Sequence, residues 1–136
     1  MDYEKRGGIV EIIGREYFEW LSEKFKRETK LKDVPDEILS RISLADVAIR
    51  DFSQDLNAIT AIALITFAYR IGGKIQNPRH GTNDILLLKV LAKNERSRRE
   101  DNRICQEEFW DLPLFELISG EVGDRIRATK FITNPV

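Results

Sequence analysis

The side chains best suited to chemistry are few in this sequence, and their spacing does not assemble an active site. His80 is the only histidine and Cys105 the only cysteine, and no CxxC or HxxxH spacing surrounds either of them. Metal sites need several such ligands at short spacing. A lone cysteine in a helical pattern is typical of packing, and a histidine in a polar loop favours contact with solvent or phosphate. The sequence therefore predicts no catalytic residue, no metal site and no cofactor, with a Cys–His nucleophile pair as the weaker, enzymatic alternative.

Phosphate-binding loops and a DNA-reading helix-turn-helix are the next possibilities, and the sequence favours neither. The glycine pair at 72–73 lacks the G-x-x-x-x-G-K-[ST] frame, and the pair at 7–8 lacks G-x-G-x-x-G. Residues 43–48 resemble the first helix of a helix-turn-helix, but the chain continues into the apolar run 56–71. Leucine, alanine and isoleucine side chains cannot read base edges, so we expect that run to lie in the core.

Charge is strongly segregated along the chain, although the net charge is only −1. Residues 70–103 contain 9 bases and 4 acids, a net of +5, whereas residues 104–124 contain 6 acids and no base, a net of −6. Such segregation creates local fields that the overall charge hides. The basic block therefore predicts a surface for an anionic partner.

The basic block divides into a polar loop and a helix. At about 100° per residue, a helical wheel places most cations of 89–103 on one side and the leucines of 86–91 on the other. Cationic and amide side chains donate hydrogen bonds to phosphate oxygens, and the loop leads into a helix N-terminus, which favours anions. We expect contact with the backbone of DNA or RNA, without sequence specificity and weakened by salt. The predicted nucleic-acid-binding residues are Arg70, Lys74, Arg79, His80, Lys89, Lys93, Arg96, Arg99 and Arg103.

Two other interpretations of these charges remain open. A solvated helix face has the same pattern, since Glu95, Glu100 and Asp101 interrupt the cations. The acidic block could also pair with the basic block, within the chain or between copies. Phe109 and Trp110 could then anchor a protein contact, because exposed aromatic side chains are common at interfaces. In that case the chain is a protein–protein adaptor or self-associating module with no nucleic-acid role.

In size, helix content and basic helix, the chain resembles the small helical subunits of CRISPR effector complexes, which line a nucleic-acid path beside other proteins. The resemblance implies a non-catalytic subunit of a larger nucleoprotein assembly and a role in antiviral defence. A sequence pI of about 5.9 fits such a subunit better than a free-standing nucleic-acid binder.

Helical patterning over most of the chain predicts the scaffold for these residues. Apolar side chains recur every four positions through 13–25, which is typical of one helix face. The run 56–71 is apolar nearly all round, so we expect a helix at the centre of a bundle, capped by Asp55 and ended by the glycines at 72–73. A basic helix should follow from Thr82 or Asn83 to Arg103, and Pro113 should start or break a short apolar helix.

These patterns predict an all-α fold: a single domain over 1–136, a helical bundle of about five or six helices around the 56–71 helix, with 133–136 as a loose tail. The longest apolar run, 58–69, is shorter than the roughly 20 residues that cross a bilayer. The first residues, MDYEKRGG, lack the apolar core of a secretory signal. We therefore expect a cytoplasmic protein with no membrane partner.

Overall fold

Local sequence signals set where the helices of the computed structural model begin and end. The structure describes residues 14–48, 54–73, 82–101 and 111–127. Its α-helices in chain order are α1 (Arg15–Glu19), α2 (Asp36–Ser43), α3 (Leu56–Ile71), α4 (Thr82–Asp101), α5 (Leu114–Ser119) and α6 (Glu121–Arg127). A π-helical turn, Trp20–Lys24, extends α1, and a 3-10 turn, Leu31–Asp33, precedes α2. The chain is an all-α helical bundle, as the sequence predicts.

The ends of α3 have the expected chemistry. The Asp55 carboxylate accepts a hydrogen bond from the Asn57 N–H at 3.0 Å, which satisfies one of the free donors of the first turn. At the other end the backbone of Gly73 has a φ of +79°, a conformation that glycine adopts without strain. The predicted 56–71 helix, its cap and its glycine end are therefore confirmed.

The helix that begins at Arg15 ends earlier than the sequence pattern suggests. Phe25 is already extended, and its N–H donates to the Trp20 carbonyl at 3.0 Å. The Thr29 hydroxyl accepts the Lys26 N–H at 2.8 Å and donates to the Lys24 carbonyl at 3.3 Å. A threonine side chain that bonds nearby backbone groups in this way competes with the helix ladder. The segment after Lys24 consequently leaves the helix while Phe25 stays buried in the core.

The apolar helix α3 lies against α2, α4 and α5. Tyr17 reaches it from α1, with its hydroxyl donating to the Thr60 carbonyl at 2.7 Å, and burial raises the pKa of this phenol. Ser119 on α5 donates to the Ala68 carbonyl at 3.3 Å. The largest fully buried side chains are Leu21, Leu39, Ile42, Leu64, Ile65, Ile85, Leu87, Leu88, Leu91, Leu114 and Leu117.

The stretch between α2 and α3, where the sequence leaves the number of helices open, starts as a turn. Ala45 is buried, and the Asp46 N–H donates to the Asp55 carboxylate at 2.8 Å. This bond brings the end of α2 to the start of α3. Among the helices within the described ranges, none combines the length and apolar character that crossing a membrane requires.

Candidate nucleic-acid interface

Five of the nine predicted phosphate-binding residues lie within the described ranges, at different degrees of exposure. Those outside the described residues are Lys74, Arg79, His80 and Arg103, and so are the predicted partner-binding residues Phe109 and Trp110. In the ranges that the structure describes, no three His, Cys, Asp or Glu side chains are grouped as a metal site would require.

Arg70 and Lys93 are the exposed members of the described set. Arg70 lies in the last turn of α3, and its guanidinium carbon is 5.3 Å from the centroid of the Phe67 ring. An aromatic ring beneath a guanidinium stabilises the cation and limits its conformations. Neither side chain forms an ion pair with any residue in the described ranges. Both are positioned to meet an anion from solvent.

Lys89 and Arg96 face α2 and are half-buried. The Lys89 ammonium donates to the Ala45 carbonyl at 2.8 Å, and one Arg96 nitrogen donates to the buried Ser43 hydroxyl at 2.9 Å. Both contacts place a cation at the C-terminal end of α2, where the free carbonyls and the helix dipole favour positive charge. These two residues therefore fasten α2 to α4.

Arg99 is fixed more firmly still. Its guanidinium donates to the carbonyls of Val34 at 2.8 Å and Lys32 at 3.0 Å, and it also pairs with Asp36. A further bond of 2.8 Å reaches the Glu95 carboxylate from Arg99 Nε. The Arg99 side chain thus joins the last turns of α4 to the chain that leads into α2.

Glu95 explains why these arginines turn inward. Its side chain is only 3% exposed, and it accepts two hydrogen bonds from Arg98, at 2.8 and 2.7 Å, besides the one from Arg99. Burial raises the pKa of this carboxyl, but the hydrogen bonds and charges of the two guanidinium groups outweigh it and hold the pKa below its usual range. A buried carboxylate without these partners would be costly, so the pairing organises this side of α4.

The geometry of α4 therefore differs from a helix with one buried face and one basic face. This helix contacts α2, α3, α5 and α6 as well as the 3-10 turn. The cations expected to form one exposed ridge are consequently split, with Lys93 in solvent and Lys89, Arg96 and Arg99 in contact with the chain before and after α2.

A second set of cations, which helical patterning does not single out, lies between α1 and α2. Residues 24–32 contain five bases, Lys24, Lys26, Arg27, Lys30 and Lys32, against the single acid Glu28. We call these nine residues the cationic segment. A count of charge in short windows detects it, but the net charge of −3 over 1–69, from 10 bases and 13 acids, conceals it.

Contacts at both ends hold the cationic segment in place. Near its middle, one Arg27 nitrogen donates to the Ile71 carbonyl at 2.9 Å, and the Arg27 guanidinium carbon lies 4.9 Å from the centroid of the Phe115 ring. The Thr29 carbonyl accepts the Leu114 N–H at 2.7 Å. The last residues are held by Arg99 through the Lys32 carbonyl.

No protein-family model, no curated protein and no solved structure matches this chain.

Proposed function

We propose that this chain is a non-catalytic helical subunit of a larger nucleoprotein assembly that contacts the phosphate backbone of nucleic acid without reading its sequence. The observation that carries the proposal is the exposed Arg70, whose guanidinium is held over the Phe67 ring and forms no ion pair with any residue in the described ranges. A pre-positioned cation of this kind suits a phosphate oxygen.

Arg70 also begins the basic block of the sequence. Lys93 adds an exposed cation on α4. Lys74, Arg79, His80 and Arg103 belong to the same block and remain part of the proposal from the sequence alone. The contribution of Lys89, Arg96 and Arg99 is indirect, since their hydrogen bonds hold α2 and the cationic segment against α4.

The test is binding of a fluorescently labelled poly(dT) oligonucleotide, and of a duplex of equal length, at several salt concentrations. Wild-type protein should bind both, with an affinity that falls linearly on a log–log plot against salt. The double variant Arg70→Glu/Lys93→Glu should bind more weakly and with a shallower slope. The double variant Arg15→Glu/Arg125→Glu changes the net charge equally at two other exposed positions and should retain the wild-type affinity. No binding by wild-type protein at low salt, or equal losses in both variants, would contradict the proposal.

A protein–protein role is the second candidate, and one observation favours it. Leu44 and Leu56 are 65% and 42% exposed, and the hydrogen bond from Asp46 to Asp55 brings these leucines to the same end of the bundle. Exposed apolar side chains grouped in this way are typical of contact surfaces. If the chain associates with a second copy through them, sedimentation velocity should detect a dimer that Leu44→Ser/Leu56→Ser abolishes. A monomer at all concentrations would exclude this role.

A further inference from the structure

We infer that the cationic segment, residues 24–32, is a second part of the phosphate-binding surface and continues it from the end of α3 toward the end of α4. The inference rests on the proposed function, because it assigns further residues to the same partner, the phosphodiester backbone of a nucleic acid.

The segment is joined to the Arg70 end of α3 by Arg27. The Arg27 guanidinium bonds the carbonyl of Ile71, the residue next to Arg70, at 2.9 Å. Successive Cα atoms are about 3.8 Å apart, so both guanidinium groups belong to one turn at the end of α3. Each lies over an aromatic ring, Arg27 over Phe115 and Arg70 over Phe67. The fold thus brings together two oriented arginines that are far apart in sequence.

Three lysines of the segment, Lys24, Lys26 and Lys32, are exposed. None of them forms an ion pair with a residue in the described ranges. The six residues from Lys26 to Lys32 reach at most about 20 Å, which corresponds to roughly six nucleotides along one strand of B-form DNA. The spacing therefore suits several phosphates of one strand.

The backbone of the segment is ordered by its own contacts. Phe25 and Leu31 are buried near its two ends, and the Thr29 side chain is buried between them. The Lys30 N–H donates to the Asp33 carboxylate at 2.9 Å, and Lys30 forms a backbone bridge with Pro113. A surface held in this way loses little conformational entropy when it binds, which favours binding.

Acidic side chains lie near the segment and weaken its field. Glu28 and Asp33 are exposed, and Asp111 is exposed shortly before Pro113. Asp33 already accepts the Lys30 N–H. Within 24–32 the five bases still exceed the single acid by four charges, so the local field is positive.

The experiment uses the full chain and the same labelled poly(dT) oligonucleotide. In the variant Lys26→Glu/Lys32→Glu, we expect at least a roughly tenfold loss of affinity at low salt and a salt slope smaller by about two, one for each lost phosphate contact. The variant Lys26→Arg/Lys32→Arg keeps both charges and should bind like wild type. Far-UV circular dichroism and the thermal midpoint confirm that each variant is folded.

The outcomes separate this inference from the proposed function. If Lys26→Glu/Lys32→Glu binds like wild type, or loses no more than the equally charged Arg15→Glu/Arg125→Glu, the inference is wrong, whereas weaker binding by Arg70→Glu/Lys93→Glu would still support the proposed function. If Lys26→Glu/Lys32→Glu loses affinity and Arg70→Glu/Lys93→Glu does not, the inference stands and the assignment of Arg70 and Lys93 is wrong. If wild-type protein does not bind, both fail.

Discussion

Replacing Arg99 with alanine should destabilise the fold without touching the exposed cations. The substitution removes hydrogen bonds to the carbonyls of Val34 and Lys32 and one of the three that Glu95 accepts. Hydrogen bonds that involve a charged group each contribute about 1.5–3 kcal/mol, and orphaning a buried ion costs about 3–5 kcal/mol. Glu95 keeps its two bonds to Arg98, so the loss falls short of a fully orphaned carboxylate.

The expected loss is about 2–4 kcal/mol in the free energy of unfolding, against a typical total of 5–15 kcal/mol. The contact with Asp36 adds little, because that carboxylate is 85% exposed and screened by solvent. Urea denaturation followed by far-UV circular dichroism measures the difference directly.

Lys93→Ala is the matched control for Arg99→Ala. Lys93 lies on the same helix but is exposed, so its replacement should change the free energy of unfolding by no more than about 0.5 kcal/mol. Arg99→Lys should fall between the two, since an ammonium group keeps the charge but cannot bond several acceptors in a fork. If Arg99→Ala is no less stable than Lys93→Ala, the arginine does not fasten α2 to α4.

Three further substitutions test the packing that positions the surface. The pKa of Glu95 is lowered in the folded state, so its stabilising effect is present at neutral pH and is lost as pH falls through the folded-state value; Glu95→Gln should therefore show a smaller loss of stability on acidification than wild type, and an unchanged acid profile would contradict this role. A Cβ at Gly72 would lie 2.7 Å from the Ser119 hydroxyl; Gly72→Ala should cost about 1–3 kcal/mol, and combining it with Ser119→Ala should cost less than the sum of the two in a double-mutant cycle. Tyr17→Phe removes the bond to the Thr60 carbonyl and should lower the thermal midpoint by an amount equivalent to about 1 kcal/mol, whereas no change would show that this bond contributes nothing.

The sequence predicts the helices well because their ends depend on neighbouring residues. Asp55 caps α3 through an amide two positions away, and Pro113 precedes α5 directly. The same local character explains why the early end of α1 was not predicted. It depends on the Thr29 hydroxyl bonding backbone groups on either side of Phe25, which competes with a helix pattern that otherwise continues.

The surface could be predicted only in part, because its orientation depends on contacts between distant parts of the chain. A helical wheel assumes one buried face, whereas Lys89 finds its acceptor, the Ala45 carbonyl, 44 positions away in the sequence. The cationic segment is visible as an excess of bases, but no periodicity shows that Arg27 meets the end of α3, also 44 positions away. Those contacts decide which cations face solvent.

Backbone amide shifts measured by NMR during titration with poly(dT) test the phosphate-binding role most directly. Binding through Arg70 and the cationic segment predicts the largest shifts over 24–32 and 70–73, together with the side-chain Nε–H signals of Arg27 and Arg70, and it predicts that these shifts disappear at high salt. Shifts confined to the leucines at 44 and 56, or no shifts at low salt, would contradict it.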